Sequence, residues 1–306
     1  MIFRYTQKNL TWIDLERPNH EEVKQITTEW NIHPIVGQEL LGPTLRPKVE
    51  IYPNFIYLIL HFPVTGKKRK GHPVQQKEID FIIGKNFIIT TRYDAVDSLH
   101  RFSKLFEVNS ILDRSDIGDH GGFVFFHMIR TIYDSLLHEM EYLNDSIRNI
   151  EENIFKGKER AMVIRISEVS RELLDAKRSM RLHKEVLESF DVAARHFFGE
   201  EFSYYTRSII GEYYKVHNAI ESDMESISEL RETNNSLLDT RENEIMKRIT
   251  VIVFLTLPAS VITNFFQMST VHTPIVGSPN DWLVLMLIMF ISTVFLFLVA
   301  KSKKWF

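Results

Sequence analysis

The sequence predicts an α+β domain followed by long stalk helices and two transmembrane α-helices. Three observations support this fold class: strand-like segments in residues 1–118, helical periodicity in residues 119–248, and two uncharged apolar runs at 249–268 and 282–300. A membrane helix needs about 20 consecutive apolar residues, and both runs are close to that length. The formal charge of −3 over 306 residues argues against a strongly basic nucleic-acid-binding protein.

Residues 1–118 are predicted to form a mixed α/β domain in the cytoplasm. Residues 18–30 predict a helix, with Glu21 and Glu22 in its first turn. Gly84-Lys85-Asn86 predicts a tight hairpin turn rather than a phosphate-binding loop. No glycine-rich nucleotide-binding motif follows a strand in the sequence. The strand-like segments are rich in β-branched and aromatic residues and are bounded by Pro, Gly or Asn; they are 2–5, 10–15, 49–62, 78–83 and 87–91.

The region 119–248 is predicted to be helical throughout. Segments 123–155 and 161–190 repeat apolar residues every three or four positions, and Gly157 lies between them, so we expect an antiparallel helix pair. A third segment runs from Phe202 into the first apolar run, and a helix from Phe202 to Met268 would be about 100 Å long. Such a helix with an apolar seam is typical of a stalk that packs against its own copies or against the preceding pair.

The two apolar runs are predicted to be transmembrane helices, with an extracytoplasmic loop at 269–281 between them and a basic tail at 301–306. Pro258 interrupts the first run, but membrane helices tolerate a proline when neighbouring groups satisfy the freed carbonyl.

The basic residues that flank these runs predict their orientation. Lys and Arg are absent from the loop 269–281, whereas they precede the first run and follow the second as Lys247, Arg248, Lys301, Lys303 and Lys304. The positive-inside rule then predicts that both termini lie in the cytoplasm. We expect the protein to be located in the plasma membrane.

Several polar residues in and just before the first apolar run share one side of the predicted helix. Steps of three and four residues connect them in a stripe that we call the polar stripe; it consists of Asn243, Met246, Thr250, Val253, Leu257, Ser260, Asn264 and Gln267. Polar side chains in a membrane helix can hold packed helices together, or several copies of the helix can surround a water-filled path. The pattern alone leaves both interpretations open.

Residue constellations typical of enzymes are absent from the sequence. There are no cysteines, which excludes disulfides and thiolate metal sites. His138-Glu139 lacks the second histidine of the zinc-protease helix motif. The sequence therefore predicts a protein that is not an enzyme and that needs no organic cofactor.

Over nearly its whole length the chain resembles the CorA family of divalent-cation transporters. The motifs that carry the resemblance are Asn243-Glu-Ile-Met246-Lys247-Arg-Ile-Thr250, a first span containing Pro258, the terminal Lys303-Lys304-Trp305-Phe306, and upstream Thr11-Trp12-Ile13-Asp14-Leu15, Arg46-Pro-Lys-Val-Glu50 and Gly84-Lys85-Asn86-Phe87-Ile-Ile-Thr-Thr-Arg92. The resemblance implies a homopentamer in the lipid bilayer, with the first span around a central pore. It also implies Mg²⁺ as the transported ion, with influx driven by the membrane potential.

Within this resemblance, the pore would be lined by the polar stripe as far as Asn264 and by one additional apolar residue, Ile249. These pore-lining residues are Asn243, Met246, Ile249, Thr250, Val253, Leu257, Ser260 and Asn264. Met246, Ile249, Val253 and Leu257 would form an apolar constriction that gates by dewetting.

Two departures from the family pattern bear on function. The outer Gly-Met-Asn triplet of the family is replaced by Gln267-Met268-Ser269 at the expected pore mouth. Where the family places a regulatory metal site, Glu212 is the acidic residue that remains. The altered mouth keeps two alternatives open. One is transport of another divalent cation such as Zn²⁺, Co²⁺ or Ni²⁺, with or without proton coupling. The other is a non-conducting structural or sensing relative that has lost the filter.

Overall fold

The computed structural model of the protein describes residues 1–63, 76–111, 120–267 and 280–302. The chain divides into two compact units, Met1–Arg231 and Glu232–Phe306. The strands are β1 (Ile2–Gln7), β2 (Leu10–Glu16), β3 (Lys48–Ile51), β4 (Phe55–Pro63), β5 (Gln76–Gly84) and β6 (Phe87–Arg92). The helices are α1 (His20–Glu29), α2 (Pro34–Glu39), α3 (Asp97–Ile111), α4 (Gly121–Phe155), α5 (Glu159–Met180), α6 (His183–Phe198), α7 (Ser203–Gln267) and α8 (Asp281–Ser302).

The six strands form one sheet in the order β1-β2-β6-β5-β4-β3. All neighbours are antiparallel except β2 and β6, which are parallel. The predicted hairpin turn at Gly84-Lys85-Asn86 is confirmed, because β5 and β6 pair across it with Ile83 opposite Ile88. Every residue of β4 is buried, as expected for a central strand that is covered on both faces.

Helices α1 and α2 cover one face of the sheet. The apolar cluster on this face includes Val23 and Ile26 of α1, Val36 of α2, and Tyr57 and Ile59 of β4. A capping box begins α1: the Asn19 side chain accepts a hydrogen bond from Glu22 N at 2.8 Å, and the Glu22 carboxylate accepts one from Asn19 N at 3.0 Å. Both bonds satisfy amides that the first helical turn leaves free.

Helices α3, α4 and α6 contact the sheet from its other face. The Trp12 ring of β2 packs within 5.7 Å of Phe102 and Phe106 of α3, measured between ring centroids. Likewise, Phe81 of β5 packs against Phe125 of α4 at 5.1 Å. Helices on both faces explain why central strands here are apolar on both sides rather than alternating.

A buried histidine connects these helices to the sheet. His183 Nε2, at the start of α6, donates to the His61 carbonyl of β4 at 2.7 Å, and His183 Nδ1 accepts from the Tyr133 hydroxyl of α4 at 2.8 Å. Because one ring nitrogen donates and the other accepts, the imidazole is neutral. Its complete burial lowers the pKa of His183 to about 4.

Two predicted elements differ from the structure. The single strand predicted at 49–62 is the hairpin of β3 and β4, in which Tyr52 N donates to Phe55 O at 2.9 Å around Pro53-Asn54. Pro and Asn favour such turns, but the apolar run on either side concealed it. The single helix predicted at 161–190 is α5 followed by α6, which are interrupted after Met180. Apolar periodicity continues across the interruption, so the sequence pattern did not reveal where α5 ends and α6 begins.

The first part of α7 packs within the first unit. Its buried positions follow the predicted three–four spacing; they are Ile209, Tyr213, Val216, Ile220 and Ile227. Asp223, the charged member of that spacing, is also buried and accepts a hydrogen bond from Asn144 of α4 at 2.8 Å. Lys177 of α5 forms an ion pair with Glu221 at 2.7 Å. This part of α7 therefore contacts both members of the preceding helix pair.

Candidate functional site

The second unit contains the end of α7 and the whole of α8. Helix α7 continues through Pro258 as far as Gln267. By length and composition, the helices that contain the two apolar runs are both long and apolar enough to cross a membrane. The second candidate span begins at Trp282, and tryptophan is enriched at the boundary between membrane and water.

One side of the α7 span is shielded in this unit. Val251 of α7 and Ala300 of α8 are buried, at 2 % and 0 % exposure. Pro258 and Ile262 are half-buried on the same side as Val251, and Thr263 Oγ1 lies 3.8 Å from Met289 Sδ of α8. We infer that this side of α7 faces α8.

The polar stripe lies on the opposite side of α7. Positions two apart on a helix point about 200° apart. Val253 therefore lies opposite Val251, and both Ser260 and Asn264 lie opposite Ile262. All members of the stripe from Asn243 to Gln267 are exposed, with Leu257 at 56 %. The stripe is thus not the contact between α7 and α8 of one chain.

The hydroxyl groups of the stripe are oriented by the helix backbone. Thr250 Oγ1 donates to Met246 O at 2.8 Å, and Ser260 Oγ donates to Thr256 O at 3.3 Å. With the hydrogens directed at the backbone, the remaining lone pairs on both oxygens can accept hydrogen bonds from outside the helix. The stripe therefore presents uncharged acceptor oxygens, which suit a cation or the water molecules around it.

The structure places the other predicted site residues as follows. Gln267 is the last residue of α7 and is exposed, whereas Met268 and Ser269 of the predicted mouth lie outside the described residues. Glu212 forms an ion pair with Lys215 one turn later at 3.0 Å. Within the described ranges, no group of three or more His, Asp or Glu side chains could hold a metal ion.

Residues 7–302 match the family profile of CorA-like Mg²⁺ transporter proteins. The chain belongs to this family. Among curated relatives, a cobalt/magnesium transport protein CorA from Thermotoga maritima is 23 % identical over 296 residues, which cover 96 % of this chain and 83 % of that protein. A cobalt/magnesium transport protein CorA from Methanocaldococcus jannaschii is 21 % identical over 300 residues, which cover 96 % and 90 %.

The fold is also that of a CorA protein. A solved structure of the complete CorA magnesium transporter from Methanocaldococcus jannaschii superposes with a TM-score of 0.83 at 18 % identity, covering 97 % of this chain and 92 % of that one. CorA proteins are transporters, so the prediction that this chain is not an enzyme is confirmed.

Sequence reasoning identified the polar stripe but not the side of α7 that α8 shields. Val251, Pro258 and Ile262 are as apolar as the lipid-facing residues of any membrane helix, so the sequence contains no signal that separates them. The assignment of the stripe to a pore remains a prediction.

Proposed function

We propose that this protein is a homopentameric Mg²⁺ channel in the cell membrane, with both termini in the cytoplasm and the polar stripes of five α7 helices around one central path. The observation that carries the proposal is the position of the stripe, which is uncharged, exposed and opposite the side that faces α8. In lipid, a stripe of amide and hydroxyl groups gains partners when copies of the helix surround water.

The chemistry of the stripe fits a hydrated divalent ion. Mg²⁺ gives up its water reluctantly, so a pore can bind it through its water shell. The oxygens of Asn243, Thr250, Ser260 and Asn264 can accept hydrogen bonds from those waters. Apolar rings would lie among these polar rings, formed by Met246, Ile249, Val253 and Leu257. Rings without hydrogen-bonding groups can gate a pore by dewetting.

The membrane potential supplies the driving force in this proposal. Each elementary charge gains about 2.3 kcal/mol per 100 mV, so a divalent ion gains about 4.6 kcal/mol when it moves inward. The basic flank at Lys247, Arg248 and Lys301 lies at the cytoplasmic side under the positive-inside rule.

Ion flux into liposomes tests the conducting path. The purified full chain is reconstituted, an inside-negative potential is imposed, and Mg²⁺ entry is followed with an enclosed indicator. Leu257→Asn should raise Mg²⁺ leak several-fold, because a polar ring no longer dewets. Ile252→Asn is the matched control, since Ile252 is 60 % exposed on the same helix but lies outside the stripe, and it should leave flux unchanged.

Two outcomes would contradict the proposal. Equal leak in both variants would show that Leu257 does not line the path. A mass measurement in mild detergent that finds a monomer or dimer would exclude the pentamer.

The altered outer triplet motivates a second measurement on the same liposomes. Ser269 projects one atom beyond Cβ and an asparagine amide projects two, so five serines would leave a wider ring that holds hydrated Mg²⁺ more loosely. The double substitution Gln267→Gly and Ser269→Asn should raise Mg²⁺ uptake relative to Co²⁺, Zn²⁺ and Ni²⁺. No flux of any ion, in both the parent and the double variant, would instead favour the non-conducting alternative.

A further inference from the structure

A histidine and two carboxyl side chains are buried on the sheet face that α1 and α2 cover. They are His61 of β4 and Glu78 and Asp80 of β5, with exposures of 6 %, 5 % and 0 %. His61 lies directly opposite Glu78 in the register, and Asp80 lies opposite Ile59. Ile59 belongs to the apolar cluster of this face, so the two carboxyl groups adjoin a hydrophobic core.

The Glu78 carboxyl group is well supplied with hydrogen-bond donors. Thr44 N donates to Oε1 at 2.9 Å and to Oε2 at 2.8 Å, and Thr44 Oγ1 donates to Oε1 at 3.3 Å. His61 Nε2 lies 2.8 Å from Oε2. Thr44 belongs to the connection 40–47 between α2 and β3, so Glu78 anchors this connection to the sheet.

Asp80 is poorly supplied by comparison. Its Oδ2 contacts the hydroxyls of Tyr57 and Tyr93, both at 3.4 Å, which is long for a hydrogen bond from a hydroxyl. Its Oδ1 has no hydrogen-bond partner among the described residues. Thr91 lies directly opposite on β6, and its buried Oγ1 also has no partner within the described part of the chain.

The charges around Asp80 do not compensate for its burial. Lys48 lies 5.3 Å from the centre of the Tyr57 ring, but its ammonium is engaged by Glu39 at 2.8 Å and Glu50 at 2.7 Å. Helix α1 presents the apolar Val23 and Ile26 to this face. The titratable and charged groups that surround the site are Glu39, Lys48, Tyr57, His61, Glu78 and Tyr93. Burial, and then the nearby charge of Glu78, raise the pKa of Asp80 well above its ordinary value.

We propose that Asp80 is a proton-binding site, and that release of its proton loosens α2 and the connection 40–47 from the sheet. Both carboxyl groups contact groups that hold this cover: Glu78 binds Thr44, and Tyr93, which contacts Asp80, also donates to the Glu39 carbonyl at the end of α2 at 3.3 Å. A second negative charge beside Glu78 would be stabilised by water, and water reaches it when the cover opens.

The sign of the pH effect follows from the raised pKa of Asp80. The folded state holds this proton more tightly than the unfolded chain does, so the closed cover is most stable at low pH. Its stability is lost as the pH rises through the folded-state pKa, which is opposite to the behaviour of an aspartate in a salt bridge. The inference does not depend on the proposed transport function, and its readouts involve no ion flux.

Infrared spectroscopy of the full chain in detergent tests the protonation state. At neutral pH, the carbonyl stretch of a protonated carboxyl group should be present in the wild type and weaker in Asp80→Asn. Asp191→Asn is the matched control, because Asp191 is also buried but accepts hydrogen bonds from Arg195 and Thr206, which lower its pKa. The control should keep the band at its wild-type intensity, and a band of wild-type intensity in Asp80→Asn would overturn the assignment.

Hydrogen exchange measured by mass spectrometry tests the opening. After correction for the intrinsic rate, residues 34–47 of the wild type should exchange at least about tenfold faster at about pH 9 than at about pH 6. Asp80→Asn should remove this pH dependence, while Asp191→Asn keeps it. Equal protection at both pH values in the wild type would overturn the proposal. This measurement needs only the wild type, so it decides the proposal even if Asp80→Asn does not fold.

Discussion

The central strand β4 and the helix α8 are both strongly apolar, yet their exposures are opposite. Every residue from Phe55 to Pro63 is buried, whereas Phe290 and Phe295 of α8 are 70 % and 63 % exposed. The strand has helices on both faces of its sheet, whereas α8 contacts α7 on one side through Met289. Contiguous apolar surface of this kind marks contact with a membrane or a partner. Apolar sequence therefore specifies burial, and the surroundings decide whether protein or lipid provides it.

Polar groups in the two units differ in the same way. On the sheet of the first unit, buried polar groups depend on distant partners: Trp12 Nε1 donates to Thr90 Oγ1 at 3.0 Å, and Thr90 Oγ1 donates to Asp14 at 2.8 Å. In the second unit, Thr250 and Ser260 donate to carbonyls four residues earlier in the same helix. The first unit thus requires one specific tertiary arrangement, whereas the hydroxyls of the membrane helices are satisfied locally.

The largest expected effect concerns the core of the first unit. Trp12→Ala should lower the free energy of unfolding by about 3–5 kcal/mol, because it leaves a cavity beside Tyr5, Phe102 and Phe106. Phe290→Ala removes a ring that is 70 % exposed and should change little. Chemical denaturation of the full chain in detergent, followed by near-ultraviolet circular dichroism, measures both. Equal losses would contradict the contrast between protein-covered and lipid-covered residues.

A lysine substitution should distinguish exposed apolar residues that face lipid from those that face water. Ile291 in the middle of α8 is 58 % exposed and Ile164 of α5 is 66 % exposed. Ile291→Lys should cost about 2.5–3.5 kcal/mol of insertion free energy, since a lysine at the bilayer centre is unfavourable. Ile164→Lys meets water and should have no effect on insertion. Protease protection measures the membrane-inserted fraction of each variant. Equal insertion of both variants would contradict this interpretation.

A smaller effect concerns the response of the first unit to acid. The pKa of His183 is lowered to about 4, so between about pH 6.5 and 4 the unfolded chain binds a proton that the folded chain does not. Stability should therefore fall by roughly 2–3 kcal/mol as the pH drops through that window. His183→Gln should flatten this slope, and His196→Gln, at an exposed position, should not. Denaturation at several pH values measures it; an unchanged slope in His183→Gln would remove His183 as the cause.

Much of the architecture could be predicted because local chemistry specifies it. The hairpin at Gly84-Lys85-Asn86 follows from turn chemistry. The apolar face of α4 follows from helical spacing, since Ile129, Leu136, Met140 and Leu143 are all buried as their periodicity indicates. The short helix α2 was missed, because six residues are too few to establish a period.

The polar cluster on β5 could not be recognised from the sequence. Glu78 and Asp80 alternate with apolar residues, which is typical of a strand with one face in water. They are buried because α2 and the connection 40–47 cover that face, and Thr44 lies 34 residues from Glu78 along the chain.

The sequence by itself determined the two uncharged apolar runs, the basic residues that flank them and the polar stripe on α7. Each of these follows from composition or from spacing along one helix, which need no knowledge of distant residues. The tertiary structure decided which side of α7 faces α8, where α5 ends and α6 begins, and that Asp80 is buried without a full set of donors. A helical or strand period shows which residues share a side, but only the packing of other elements decides what covers it.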